Sequence, residues 1–220
     1  MAKEKSNGES SPNDNNPNSV FKILMFESIF TGLVYAGLKF GDVETRLAAV
    51  ISPVLPLDAN KATMVIVLLA GVLQNHMAST TNWARAKYDV KWPHTFAPEG
   101  DPAMPAQPDL TQPPPRVPPL EGHKDKVAFD CVQRAHLNFV ENYTQVLALT
   151  YFAAQAAPYW AFLSAFFFLL GRLVFANGYY SGNAENRNAG AFGYMVGKFP
   201  LQGLFYLVVA KTLGVPGIPL

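Results

Sequence analysis

The sequence predicts an all-α integral membrane protein built on four long apolar helices, with an extra hydrophobic helix at its N-terminus. Three observations carry that prediction. Half of the 220 residues are apolar and only 15% are charged, too lean in charge for an ordinary soluble surface. The charges are also segregated. From Asn142 to Gly171 there is no Asp, Glu, Lys or Arg, and from Asn188 to Leu220 only Lys198 and Lys211 are charged. Apolar stretches of about 20 residues are what a hydrocarbon core of roughly 30 Å requires of a helix.

Residues 1–19 are polar and rich in Asn and Ser. They cannot bury enough apolar surface to fold, so a disordered tail is expected. Acids are mixed with its lysines and arginine is missing, unlike an organelle transit peptide. Val20 to Phe40 is too long for the apolar part of a secretory signal and has no small-residue cleavage site. It is predicted as a retained anchor or extra membrane helix, with Lys22 and Glu27 inside it. Residues 20–57 thus form a hydrophobic extension and connector, where Pro53 and Pro56 break any continuous helix.

The main membrane domain is expected over residues 58–213. Its first helix runs from about Ala62 to Trp83 and carries Gly71 and His76. The polar stretch Ala84 to Lys126 comes next, and 94–126 reads as a proline-rich insertion. Pro113, Pro114 and Pro115 impose an extended polyproline-like chain, suited to a stiff spacer or to docking a protein partner. Three more helices are predicted at about 127–157, 159–181 and 189–213. Pro158 marks the turn between the first two, and Gly182 lies just past the next. Prolines in GVPGIPL keep the last helix out of the 214–220 tail.

Basic residues set the orientation. The 84–134 loop holds Arg85, Lys87, Lys91, Arg116, Lys124, Lys126 and Arg134, and the short loop after the third core helix adds Arg187. Both loops should face the cytosol, and a spanning Val20–Phe40 would return the tail to that side. No basic patch or interleaved Lys/Arg–aromatic stripe supports binding to nucleic acid. The single cysteine, Cys131, excludes an internal disulfide, and His76, His94, His123 and His136 lack metal-ligand spacing, so no metal is expected.

Chemistry concentrates in FDCVQRAHLNFVENY, Phe129 to Tyr143, at the start of a predicted membrane helix. Arg134, Asn138 and Glu141 are spaced i, i+4, i+7 and share one helical face. Charged side chains at membrane depth face a cavity or a partner. One reading is a structural ion pair with Asn138 bonding across helices. The other is a polar pocket at the cytosolic face for a zwitterionic ligand with carboxylates and an amine. In GRLVFANGYYSGNAENR, Gly171 to Arg187, Arg172, Phe175 and Tyr179 share a second face. Tyr179 suits an interfacial anchor as well as a ligand contact. Arg187 lies just beyond the helix end, where it could reach over a pocket mouth.

The pair QRAHLNFVENY and GRLVFANGYYSG resembles the superfamily of membrane-associated proteins in eicosanoid and glutathione metabolism (MAPEG), closest to its type-three microsomal glutathione transferase branch. The likeness continues upstream in HMASTTNWARAKYDVKWP, His76 to Pro93, and covers roughly residues 63 to 210. The resemblance implies an integral membrane four-helix bundle, assembled as a homotrimer, in the endoplasmic reticulum or another organelle membrane. Glutathione would be its co-substrate, and its second substrate a lipophilic molecule from the surrounding lipid. By position, Arg134, Asn138, Glu141 and Tyr179 would contact glutathione from one subunit, with Arg85 and His136 lining the site from a neighbour. Arg187 matches the arginine that holds the glutathione sulfur as thiolate.

Three departures stand out. Phe175 replaces the family's usual Tyr, Ala86 replaces a second basic residue after Arg85, and the loop from Pro93 to Phe129 is more than twice the usual length. Two functions are therefore expected as alternatives. One is a membrane glutathione transferase or peroxidase. The other is a non-catalytic member of the same fold, serving as an accessory subunit or scaffold, which Phe175, the N-terminal extension and the proline-rich loop favour.

Overall fold

A computed structural model describes residues 17–88, Val90 and 123–218. Among these the secondary structure is entirely helical. The helices are α1 (Pro17–Phe40), α2 (Val43–Ile51), α3 (Ala59–Lys87), α4 (His123–Ala154), α5 (Pro158–Tyr180) and α6 (Phe199–Thr212). A 3-10 segment (Ala184–Ala191) and a π segment (Gly193–Lys198) join α5 to α6. The polar stretch before Pro17 and the Pro113–Pro115 strip lie outside the described residues. The helices on either side reach further than expected: α1 begins three residues before Val20, and α4 begins at His123, inside the expected 94–126 insertion.

Helices α3, α4 and α5 pack on one another, and α6 closes the bundle against α4 and α5. Both α3 and α5 are long and apolar enough to cross a membrane. The 32 residues of α4 span about 48 Å, well beyond a ~30 Å core, and the charges of this helix gather in its N-terminal half. The seams are made of small residues. Ala62, Ile66 and Ala70 of α3 recur every four residues and meet Ala135 and Phe139 of α4 and Ala161, Ala165 and Phe168 of α5 in one core. In lipid, where apolar surface gains little by leaving the solvent, such close backbone approach supplies the packing energy.

The connector holds a helix that its two prolines did not suggest. The nine-residue α2 ends just before Pro53, and its value is positional. Pro158 opens α5 with no N–H to lose, but Tyr159 and Trp160 still present unpaired backbone donors at that helix start. Glu44 takes both, its Oε1 accepting from Tyr159 N–H and its Oε2 from Trp160 N–H, each at 2.9 Å. Burial pushes the Glu44 carboxyl above its ordinary range, although the two N–H bonds pull the other way. Tyr159 returns a contact, its hydroxyl accepting from Leu57 N–H at 3.1 Å. Thus the extension is clamped to the start of α5.

α1 lies along α6. Phe30 stacks on Phe199 with ring centroids 5.0 Å apart. At Gly203 the helices approach so closely that a Cβ would sit 3.1 Å from the Val34 side chain and 3.2 Å from the Thr31 backbone.

The predicted uniform helix at 189–213 is corrected in form. Its first half is wound as 3-10 and then π helix, and regular α geometry starts only at Phe199. Two causes are visible. Pro200, in the first turn of α6, cannot donate back to residue 196 and its ring would clash there, which a regular turn could not accommodate. Against α5, Gly171 and Gly193 touch backbone to backbone. A Cβ on Gly171 would lie 2.5 Å from Gly193 Cα.

Candidate functional site

The site is built on the side of α4 that faces α5 and the segment after it. Its centre is Arg172, only 1% exposed. One end of its guanidinium donates through Nη2 to Asn138 Oδ1 on α4, and Nη1 donates to the Tyr194 hydroxyl at 3.2 Å. The Phe175 ring lies 3.9 Å from the guanidinium, a cation–π contact one turn along α5. Arg172 Nε is buried without a hydrogen-bond partner. Glu141, exposed on α4, is within electrostatic reach of this cation.

A second cation lies along the same face. Lys198, the last residue of the π segment, donates to Asn142 Oδ1 at 2.8 Å, and Asn142 in turn donates to the Asn138 carbonyl at 2.8 Å. Its ammonium also lies 5.5 Å from the Tyr194 ring centroid. Two positive side chains, two amides and one tyrosine therefore line an interior seam that sequence alone makes look apolar.

Near the outer end of the seam, Arg187 Nη1 donates to the Tyr179 hydroxyl at 2.6 Å. Tyr179 is buried and packs edge-on against Phe175, with centroids 5.1 Å apart. Arg187 is carried by the 3-10 segment, whose start is fixed by Asn183 accepting from Glu185 N–H at 3.0 Å. That segment is pressed onto α5 at Gly178, where no side chain would fit beneath the Asn186 carbonyl. Arg187 of the 3-10 segment and Arg134 of α4 itself both lie within electrostatic reach of Cys131.

Five of the seven sequence-predicted residues thus fall on one side of the bundle: Arg134, Asn138, Glu141, Tyr179 and Arg187. The other two do not. Arg85 is buried over the Phe129 ring at 5.3 Å, and His136 sits within hydrogen-bond distance of Gln74 at 3.1 Å, both in the α3–α4 seam. Sequence reading placed Arg172 on the right face without giving it a role, and passed over Lys198, Asn142 and Tyr194. The signal was the charge itself, since Arg172 and Lys198 interrupt long apolar stretches.

Between α3 and α5 an apolar groove of about 410 Å³ is lined by residues including Leu69, Val72, Leu73, Phe166 and Leu173, with His76 at its edge. Its lining suits a hydrocarbon chain. Among the described residues no group of His, Cys, Asp and Glu could hold a metal ion.

Residues 63–210, about two thirds of the chain, match the model of the MAPEG family. The match takes in every residue of the site and leaves out α1 and α2.

Proposed function

The chain belongs to the MAPEG family, and from that premise we propose that it is a membrane-bound glutathione transferase or peroxidase acting on lipophilic electrophiles or lipid hydroperoxides. The observation that carries this reading is the Arg187–Tyr179 hydrogen bond, which ties the guanidinium of the 3-10 segment to a buried tyrosine of α5. Glutathione offers two carboxylates, an ammonium and a thiol. Arg134 supplies a cation for a carboxylate, Glu141 an anion for the ammonium and Asn138 an amide, all on successive turns of one helix. Arg172, fixed by Asn138 and Tyr194, sets the field behind them.

Arg187 then takes the thiol. A free thiol ionises with a pKa of about 8.5. Lowering that by ~2 units requires roughly 2.7 kcal/mol. One guanidinium ~4 Å from the sulfur, at an effective dielectric near 20, gives up to about 4 kcal/mol before the thiolate's desolvation is subtracted. A single arginine can therefore be enough if Arg187 is ordered over the sulfur. The thiolate would attack an electrophilic carbon, forming the C–S bond as the leaving group departs or the double bond is protonated. With a hydroperoxide it would attack the distal oxygen, releasing the alcohol and a sulfenic acid that a second glutathione reduces to disulfide and water. No side chain serves as nucleophile, and Cys131 is buried packing. The lipophilic substrate would come sideways from the bilayer, for which the α3–α5 groove has the right lining.

In this reading the assembly is a homotrimer in the endoplasmic reticulum or another organelle membrane. Arg85 and His136 would line the site of a neighbouring copy. Binding to immobilised glutathione tests the proposal. Retention that free glutathione competes away is expected, and its absence at millimolar glutathione would exclude it. A second reading, a non-catalytic accessory subunit, draws on Phe175 and Ala86. Phe175 brings no hydroxyl to the site but a ring that covers Arg172.

A further inference from the structure

The N-terminal extension brings a carboxylate to a place where an apolar surface is expected. Glu27 lies ten residues from Pro17 and thirteen from Phe40, so about 15 and 20 Å from the two ends of α1. Its Oε1 accepts from Gln202 Nε2 at 2.9 Å and its Oε2 from the Tyr206 hydroxyl at 3.1 Å, both on α6. Gln202 Nε2 also reaches the Tyr206 hydroxyl at 3.0 Å, so the three side chains form a closed ring. Glu27, Ser28, Thr31 and Tyr206 line an open cavity of about 440 Å³ on the outer side of the α1–α6 pair.

The hydrogen bonds hold the carboxylate in place without neutralising its charge. Among the described side chains no cation lies within ion-pair distance of Glu27. Lys198 is within electrostatic reach of it, but that ammonium is committed to Asn142. An anion at mid-helix in a membrane protein needs a positive partner far more than a surface anion does. Beside the cavity the exposed face of α1 carries Ser28, Gly32 and Ala36, one per turn, and Gly32 has open space where a side chain would be. Small residues at this spacing let a second helix backbone approach closely. Both features lie on the α1–α6 face, and α1 is outside the family match.

We infer that the α1–α6 face is a docking site for the transmembrane helix of another protein, one carrying a lysine or arginine midway along its span, with that cation seated against Glu27. The cavity receives the basic side chain and the Ser28–Gly32–Ala36 stripe receives the partner's backbone. Charge complementarity selects the partner, since an all-apolar helix would leave the carboxylate uncompensated.

The test uses the full chain in liposomes, with a donor dye at its N-terminus and acceptor-labelled synthetic Leu/Ala transmembrane peptides. One peptide has a single central lysine and the other a leucine there. The lysine peptide should associate about tenfold more tightly, in the range of a polar contact between membrane helices. Glu27→Gln keeps the hydrogen-bonding shape and should abolish that preference. Gly32→Leu, which meets no neighbour within the chain, should weaken both peptides. Equal association of the two peptides, or a preference that survives Glu27→Gln, overturns the inference. Capture of octadecylamine by the wild-type chain without any lysine-peptide preference would assign the cavity to an aminolipid and overturn it too.

Discussion

Arg172 on α5 and Asn138 on α4 are joined by a hydrogen bond in the interior, and this contact links the fold to the site. The same guanidinium reaches Tyr194 in the π segment, so one buried cation ties three elements together. Asn138 is also a predicted ligand contact. Changes to this pair should therefore affect stability before they affect chemistry.

Asn138→Ala should leave Arg172 with an unmatched buried donor and lower stability by about 1–3 kcal/mol. Arg172→Met, which removes the charge and keeps much of the volume, should cost less than Arg172→Ala. Thermal melts of the three variants in one detergent check the order.

Arg187 and Arg134 should separate ionisation from binding. Arg187→Ala should remove most of the thiolate absorbance seen on mixing with glutathione while leaving glutathione binding largely intact. Arg134→Ala should weaken binding itself by about 10- to 150-fold, the worth of a charge-assisted contact of roughly 1.5–3 kcal/mol. Equilibrium dialysis and ultraviolet absorbance read the two quantities. An Arg187→Ala variant with wild-type thiolate would move that role to another residue.

Phe175→Tyr should hold or improve glutathione affinity, and so should not disturb the ring's contact with Arg172. Tyr179→Phe should act the other way. It deletes the acceptor that positions Arg187 and one hydroxyl contact to the ligand, so thiolate formation and affinity should both fall. The same dialysis and absorbance pair distinguishes the two.

Glu44 should make the clamp on α5 sensitive to pH. Its carboxyl is raised by burial, so the folded protein holds this proton more tightly than the unfolded chain. The linked stability is greatest below the ordinary carboxylate value of 4.5 and is lost as pH rises through the raised folded value. Wild type minus Glu44→Gln, as a melting-temperature difference, should therefore be larger near pH 4 than near pH 7. A flat difference would mean that Glu44 does not titrate differently on folding.

Gly197→Ala should destabilise by about 1–3 kcal/mol, because the new Cβ would lie 2.5 Å from the Phe168 backbone nitrogen and neither helix can yield locally. Gly71→Ala, where open space surrounds the position, is the control and should be neutral or slightly stabilising. Chemical denaturation in mixed micelles compares them.

The long elements were legible because hydrophobic length is a strong signal. Val20–Phe40, Ala62–Trp83 and the helices flanking Pro158 came within a few residues of α1, α3, α4 and α5. The features that escaped depend on contacts between distant residues. α2 is short and surrounded by connector prolines, and nothing local shows that Glu44 caps a helix 115 residues away. The 3-10 and π winding of 184–198 comes from Pro200 and from glycines pressed on α5, while apolar composition reads the same in any helix. The stripe at Arg134, Asn138 and Glu141 was readable from spacing. Arg172 and Lys198 drew no role because their partners lie on other helices.

A π turn has the effect of one extra residue wound into an α-helix, and each added residue rotates the downstream helix by about 100°. The chain from Gly193 to Thr212 therefore has two angular phases. Upstream of Phe199 its facing is set by α5 and by the Lys198–Asn142 contact, while downstream α6 is phased to receive α1 at Phe199, Gln202 and Gly203. Deleting a single residue within 193–198 would bring the halves into one register, and either the Arg172 seam or the helix partner of α1 would be turned out of place. That short irregular stretch lets two unrelated surfaces share one strand of polypeptide, so it should tolerate substitution at its exposed positions, Met195 and Val196, far better than any change of length.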